Sequence, residues 1–196
     1  MKNGFFALIG RMRSIRRWGL MHNSFDENLQ EHSHMTAVLA HALAMIRRDV
    51  YGEAADPDRA AVLALYHDAS EIITGDMPTP VKYLNRDITG AYKAVERQAE
   101  ERLLDMLPPE LRSGYAPLLG GGEEDLAPLV KAADKLSAYL KCQEELQMGN
   151  REFRSAEAQL RAWLEACPLR EVQYFLTHFL PSFGLTLDEL TGEDRE

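Results

Sequence analysis

Residues 56–75 run DPDRAAVLALYHDASEIITG, and the reading of this stretch decides the fold. Asp56 followed by Pro57 is an N-cap with a first-turn proline: the carboxylate takes a free amide of the first turn, and the proline ring presets φ where no N–H is needed. The run Ala60 to Ile73 is helix-forming until Gly75 stops it, which predicts a helix over about 57–74. The segment is apolar nearly all round, so it is expected in the middle of the fold, with other helices covering it on several sides. Yet it carries His67 and Asp68 side by side, and a buried carboxylate without a partner is costly. A divalent cation would satisfy both groups, because it supplies positive charge and fills both lone pairs. An isolated His-Asp dipeptide is ordinarily a core histidine beside a surface carboxylate. Glu71 changes that balance, since four residues after His67 it projects from the same helical face.

Working outward, Asp76-Met77-Pro78-Thr79-Pro80 forms a rigid turn past the glycine stop, with two prolines limiting the backbone and Asp76 and Thr79 offering polar side chains. Such a turn either lines a pocket or merely terminates the helix. Upstream, Asn28 and Glu31 make a capping-box pattern, after which Met35, Val38, Leu39, Ala42, Leu43 and Ile46 recur at helical spacing, predicting a helix over about 28–48. His32 lies on the stripe of Met35, Leu39 and Leu43, whereas His34 and His41 point away. A histidine on an apolar stripe is more often a core residue than a ligand, but a metal at His67 and Asp68 needs ligands from a second helix. Further helices are expected at about 89–107, 109–118, 127–148, 151–166 and 169–180, between proline or glycine signals. The Gly120-Gly121-Gly122 turn is the longest linker-like stretch, and strand-like alternation, repeats and low-complexity tracts are missing.

The chain of 196 residues suits one domain, 1–196, and its alanine, leucine, methionine, glutamate and arginine favour an all-α fold. A formal charge of −9 excludes broad contact with a polymeric nucleic acid, which wants a basic stripe. Small anionic ligands remain compatible, because Arg11, Arg13, Arg16 and Arg17 cluster near the N-terminus; Arg11 and Arg13 read as a solvated helix face. Cys142 and Cys167 have neither disulfide-framework nor zinc-thiolate spacing, which implies a reducing, cytoplasmic setting. Phe5 to Gly10 is too short for a signal-peptide core, and no stretch suits a membrane span. Phe153, Trp163, Tyr174, Phe175 and Phe179 are core or subunit-interface positions, with core the simpler assignment.

Glu31-His32, His67-Asp68 with Glu71, and Lys131-Ala132-Ala133-Asp134 together resemble the H…HD…D signature of HD-domain phosphohydrolases. More closely, Arg17-Trp18, Glu31-His32-Ser33, Tyr66 to Glu71, Thr74-Gly75-Asp76, Pro78 to Tyr83 and Ala138 to Cys142 resemble the bacterial 5′-deoxynucleotidases of the YfbR type, over most of the chain. The resemblance implies a single-domain HD helical bundle with a site drawn from the helices at about 28–48, 57–74 and 127–148. It further implies metal ligation by His32, His67, Asp68 and Asp134, catalytic roles for Glu71, Arg17 and Asp76, and substrate contacts from Arg17, Trp18, His32, Asp68, Asp76, Met77, Pro78, Thr79 and Asp134.

Four ligands on an ion able to take six leave room for water and a phosphate oxygen, as metal-assisted hydrolysis requires. The cofactor expected is one divalent metal cation, with cobalt, manganese, zinc or copper all suited to a mixed nitrogen and oxygen site. The stretch between Asp68 and His178 contains no histidine, which favours one ion over two. The expected reaction converts deoxyribonucleoside 5′-monophosphates to nucleosides and phosphate. Arg17 would hold the phosphate, Trp18 would pack on sugar or base, and Glu71 would orient water or relay a proton. Asp76 would serve the leaving-group side, and the residues from Asp76 to Thr79 would exclude a 2′-hydroxyl. Alternatives are an HD-type nucleoside triphosphate hydrolase, for which Lys82 and Lys131 are few cations, and a non-catalytic nucleotide-binding module. The resemblance also implies a homodimer.

Overall fold

The computed structural model describes residues 3–82, 84–119 and 125–192; Tyr83 and the glycine turn at 120–122 lie outside the described residues. Helices α1 (Phe5–Ile9), α2 (Leu29–Met45), α3 (Pro57–Tyr66), α4 (Glu71–Thr74), α5 (Thr79–Lys82) and α6 (Arg86–Asp105) lead into α7 (Pro109–Leu119), α8 (Ala127–Gln147), α9 (Arg154–Glu165), α10 (Arg170–His178) and α11 (Leu187–Thr191). Among the described residues there is no strand, only one isolated antiparallel bridge between Arg16 and Asn28. No helix among them is long and apolar enough to cross a membrane.

The helix starts follow from their caps. Asn28 accepts from the Gln30 and Glu31 amides at 3.0 Å each while the Glu31 carboxylate accepts from the Asn28 amide, and Asp56 accepts from the Arg59 amide ahead of Pro57. Helix α2 packs chiefly on α3 and α8, and the shared core is Leu39, Leu43, Leu63, Leu129, Leu136, Leu140 and Leu164. A smaller cluster of Phe5, Ala69, Leu103, Leu107 and Leu119 fixes α1, α6 and α7 beside it.

Three sequence expectations need correction. The helix expected over 57–74 is broken: α3 ends at Tyr66, residues 67–70 form a turn, and α4 follows. The imidazole of His67 donates from Nδ1 to the Ala64 carbonyl at 2.7 Å, the acceptor a continuing α-helix would offer to the Asp68 amide. The backbone tightens to i→i+3 bonds, from Ala69 to Tyr66 and from Glu71 to Asp68, at 3.0 Å each. His67 and Asp68 therefore stand on a turn and not inside a helix. Second, α3 is covered on several sides, by α2, α7 and α8, but does not lie wholly in the middle of the fold, because Val62 and Leu65 are exposed. Third, the buried stripe of α2 is His32, Ser33, Thr36, Leu39, Ala40 and Leu43, while Met35 and Val38 face out. Of the late aromatic positions, Phe153 and Phe175 are core, Trp163 and Tyr174 pack partly against it, and Phe179 is exposed.

Candidate metal and phosphate site

Three elements bring the chemistry together. From α2, His32 is fully buried, with Nδ1 3.1 Å from Ser137 Oγ of α8. When Nδ1 donates to that hydroxyl, Nε2 presents a lone pair. From the turn, His67 has Nδ1 committed to Ala64, so its Nε2 is likewise the free nitrogen. One nitrogen or carboxylate oxygen from each of His32, His67 and Asp68 lies within 4.8 Å of the others. From α8, Asp134 joins through its Oδ1, 3.2 Å from His32 Nε2, and its other oxygen meets Lys135 Nζ at 3.4 Å.

The donor set fits a divalent cation. His67 Nε2 is buried and makes no hydrogen bond with any described group, although Asp68 Oδ2 is 3.0 Å away. Two imidazoles held in one tautomer by protein partners, with two carboxylates beside them, satisfy the ligand chemistry and its supporting shell. Electrostatics agree. Burial opposes charging His67, but Asp68 and then Asp134 outweigh it and raise His67 to about 9. Burial likewise opposes ionising Asp68, and His67 outweighs it, holding Asp68 at about 2. Asp134 is held below the ordinary carboxylate range against burial, chiefly by His32, while His32 is lowered by its own burial and then by Arg17. The negative charge of Asp68 and Asp134 that raises His67 is the charge a cation held by these side chains would offset.

Arg17 faces this cluster, with NH1 3.5 Å from Asp68 Oδ2. Burial opposes its charge, but Asp68, Glu27, Asp134 and Asp76 outweigh it and raise its pKa. Glu71 is buried with Oε2 unpaired; burial first, then Asp68 and Asp76, raise it to about 9. Asp76 is raised by burial and then by Asp68, while Arg17 and a hydrogen bond from the Trp18 backbone oppose the rise. Trp18 is the one non-glycine residue with positive φ among those described, at 59°, and its ring packs 5.3 Å from that of Phe153. The turn after Gly75 (φ 77°) leaves Met77 and Pro78 half-buried and Thr79 exposed, and Tyr92 fastens its start through Thr74 Oγ1 at 3.2 Å.

His32, His67, Asp68, Asp134, Arg17, Glu71 and Asp76 thus meet in one region. Sequence reasoning missed Ser137, which could have been found three residues after Asp134 on the same helical face, and Glu27, which carries no motif signal. Lys135 was also missed, while Lys131, weighed from the sequence only as one of too few cations for a polyphosphate, lines a cavity of about 290 Å³ with His67, Asp134, Leu63, Leu118, Ala127 and Val130. The two cysteines are free and buried, and burial pushes the Cys142 thiol up to about 12.

Comparison with known proteins places this geometry. The profile of the YfbR-like 5′-deoxynucleotidase family matches residues 4–183. The chain is 50% identical over 191 residues to 5′-deoxynucleotidase YfbR of Shigella boydii serotype 18 and to that of Escherichia coli K12, covering 96% of each chain. Among solved structures, an HD-domain phosphohydrolase from Listeria innocua superposes with a TM-score of 0.80 at 24% identity, over 96% of this chain and 95% of the other. The cyanophage S-2L HD phosphohydrolase DatZ, bound to dA and one catalytic Zn2+, superposes with a TM-score of 0.62 at 22% identity, over 92% and 96%. The fold is that of the HD-domain phosphohydrolases, and the chain belongs to the YfbR-like 5′-deoxynucleotidase family.

Proposed function

We propose that this enzyme hydrolyses deoxyribonucleoside 5′-monophosphates to deoxyribonucleosides and phosphate, using one divalent cation held by His32, His67, Asp68 and Asp134. The observation that carries the reading is the convergence of the His32 and His67 Nε2 atoms and two carboxylates in front of a buried arginine. Family membership sets the reaction class. The dA and single Zn2+ in the cyanophage neighbour are in keeping with it. Cobalt or manganese suits the same mixed donor set.

A cation bound there lowers the pKa of water and draws charge from a phosphoryl oxygen. The remaining work falls to side chains. Arg17 presents a planar, permanently charged edge to the phosphate, and its neighbouring carboxylates repel an anion unless that edge and a cation face it. Glu71 orients the attacking water or relays its proton, a task open to its carboxyl once a cation offsets the Asp68 and Asp76 charges that, after burial, raise it. Asp76 serves the 5′-oxygen, which must gain a proton on leaving. Trp18 supports the sugar or base, and the half-buried turn of Asp76, Met77 and Pro78, with Thr79, crowds the 2′ position.

A polyphosphate substrate would have to rely on Lys131 beside the cavity, because Lys82 is engaged by Glu96 at 2.8 Å and Lys135 by Asp134. Two buried free thiols suit a reducing cytoplasm. The exposed Met35, Val38, Val62 and Leu65 on α2 and α3 offer apolar area for a homodimer, which light scattering would weigh directly. The deciding experiment is a metal-resolved screen against ribo- and deoxyribonucleoside 5′-mono-, di- and triphosphates. Metal-dependent phosphate release confined to deoxyribonucleoside monophosphates is expected, and no release with any cation would overturn the proposal. In the same assay Glu71→Ala retains metal and loses most turnover.

A further inference from the structure

The segment Arg17 to Glu27 is a closed loop whose two ends meet. Arg17 N–H donates to the Glu27 carbonyl at 3.0 Å and Leu29 N–H to the Ile15 carbonyl at 2.9 Å, on either side of the Arg16–Asn28 bridge. The Glu27 side chain turns back into the loop. Its Oε2 accepts from Arg17 Nε at 3.2 Å and from Trp18 Nε1 at 2.9 Å. Both the guanidinium and the carboxylate are 12% exposed, so the contact is shielded from water and weakly screened.

We infer that Glu27 is a positioning residue that sets, with one oxygen atom, both the phosphate-facing edge of Arg17 and the indole of Trp18. A guanidinium has five N–H groups in a fixed fork. With Nε engaged by Glu27, the terminal nitrogens are turned toward Asp68, where NH1 stands at 3.5 Å. A guanidinium free to rotate about its last torsions would spread that edge over many directions. The indole needs the same help, since Trp18 sits at a backbone conformation that non-glycine residues rarely adopt. Its contacts there include Glu27 at Nε1, Phe153 against the ring, Asp76 at the backbone, and the Met21 amide, which donates to the Trp18 carbonyl at 2.9 Å. Because one oxygen serves both neighbours, the phosphate contact and the sugar or base contact are locked at a fixed separation.

This inference rests on the phosphate role proposed for Arg17 but not on the identity of the nucleotide, so its test uses inorganic phosphate as probe. Phosphate affinity is measured by titration calorimetry on the metal-loaded full chain for the wild type, Arg17→Ala, Glu27→Gln, Glu27→Ala and each double variant, alongside kcat and KM for a deoxyribonucleoside monophosphate. Glu27→Ala should weaken phosphate binding about 10-fold or more. Glu27→Gln should lose about threefold, because an amide oxygen still accepts from both N–H groups without the charge. In the Arg17→Ala background both losses should vanish, since Glu27 acts on phosphate only through Arg17. Should Glu27→Ala fail to fold, the Glu27→Gln cycle decides alone. A loss of the same size with and without Arg17 would overturn the inference, as would unchanged affinity in the folded Glu27→Ala protein or a wild type that does not bind phosphate. A wild type that binds phosphate and shows the expected coupling but leaves deoxyribonucleoside monophosphates intact would overturn the proposed function alone.

Discussion

Replacing Glu71 by glutamine should stabilise the metal-free protein, and by an amount that grows with pH. The Glu71 side chain is 6% exposed and its carboxyl is raised from an ordinary 4.5 to about 9 by burial, Asp68 and Asp76. Between those values the unfolded chain has released this proton while the folded chain keeps it. Stability is then lost as pH rises, at about 1.4 kcal/mol per pH unit. At pH 7 the accumulated cost is about 3 kcal/mol. Glutamine has the shape of the protonated acid and no proton to hold, so it removes the cost. His67, also raised, contributes stability below its unfolded value that is lost as pH climbs toward about 9, and the lowered His32 contributes in the opposite sense below its ordinary 6.5. Those contributions are common to wild type and variant and cancel in the difference. Urea unfolding of chelator-treated protein at pH 5, 6, 7 and 8 and constant ionic strength measures it. The gap in favour of Glu71→Gln should be near zero at pH 5 and widen steadily. Parallel stability curves, with a constant gap, would refute the argument that burial holds a proton on Glu71.

Cation binding at pH 7 to the Glu71→Gln protein should release about one proton from His67, read from calorimetry in buffers of different ionisation enthalpy; no release would mean His67 is already neutral there. Ser137→Ala leaves His32 Nδ1 without its partner and should weaken metal affinity by about 10–100-fold in a chelator competition, with an unaltered constant removing Ser137 from the site. Glu145→Ala strands the buried Lys141 charge, whose Nζ lies 2.5 Å from Glu145 Oε1, and should cost about 3–5 kcal/mol in urea unfolding. Replacing both by methionine should restore most of that loss, and a double variant no better than the single would show that packing and not charge was removed.

Much of this architecture was legible in the sequence because it is written in short-range chemistry. The cap at Asn28 with Glu31, the Asp56-Pro57 start and the Gly75 stop each work through bonds spanning a few residues, so a linear reading finds them. The break after Tyr66 was hidden. Nothing in the propensities of His67 to Ser70 forbids a helix, and the turn depends on which carbonyl the His67 ring takes. The exposure of Met35 and Val38 was equally hidden, since periodicity identifies an apolar stripe but not which edge a neighbouring helix covers. Within the site, His32, His67, Asp68 and Asp134, named from the HD-type resemblance, lie near one another and near Arg17, whereas Glu27 escaped notice because its contact with Arg17 is created by a loop folding back across ten positions.

Helix α8 carries Asp134 and Ser137 near its middle and Lys141 and Glu145 two to three turns further on. The latter pair accepts and donates across to the opposite loop: Glu145 takes the Ser24 amide at 2.9 Å and Lys141 Nζ reaches the Phe25 carbonyl at 2.6 Å, while Asn150, just past the helix end, donates from Nδ2 to Glu145 at 2.8 Å and to the His22 carbonyl at 2.7 Å. Two cargoes therefore hang from a single rod, the proposed metal site at one station and the arginine-bearing arm at another, seven residues or about 10.5 Å apart along the axis. Their spacing is calibrated by helical rise and not by the suppleness of the loop. An insertion in the solvent-facing part of the arm would leave that ruler intact, whereas one extra residue between Asp134 and Lys141 would rotate the two stations by about 100° and throw them out of register.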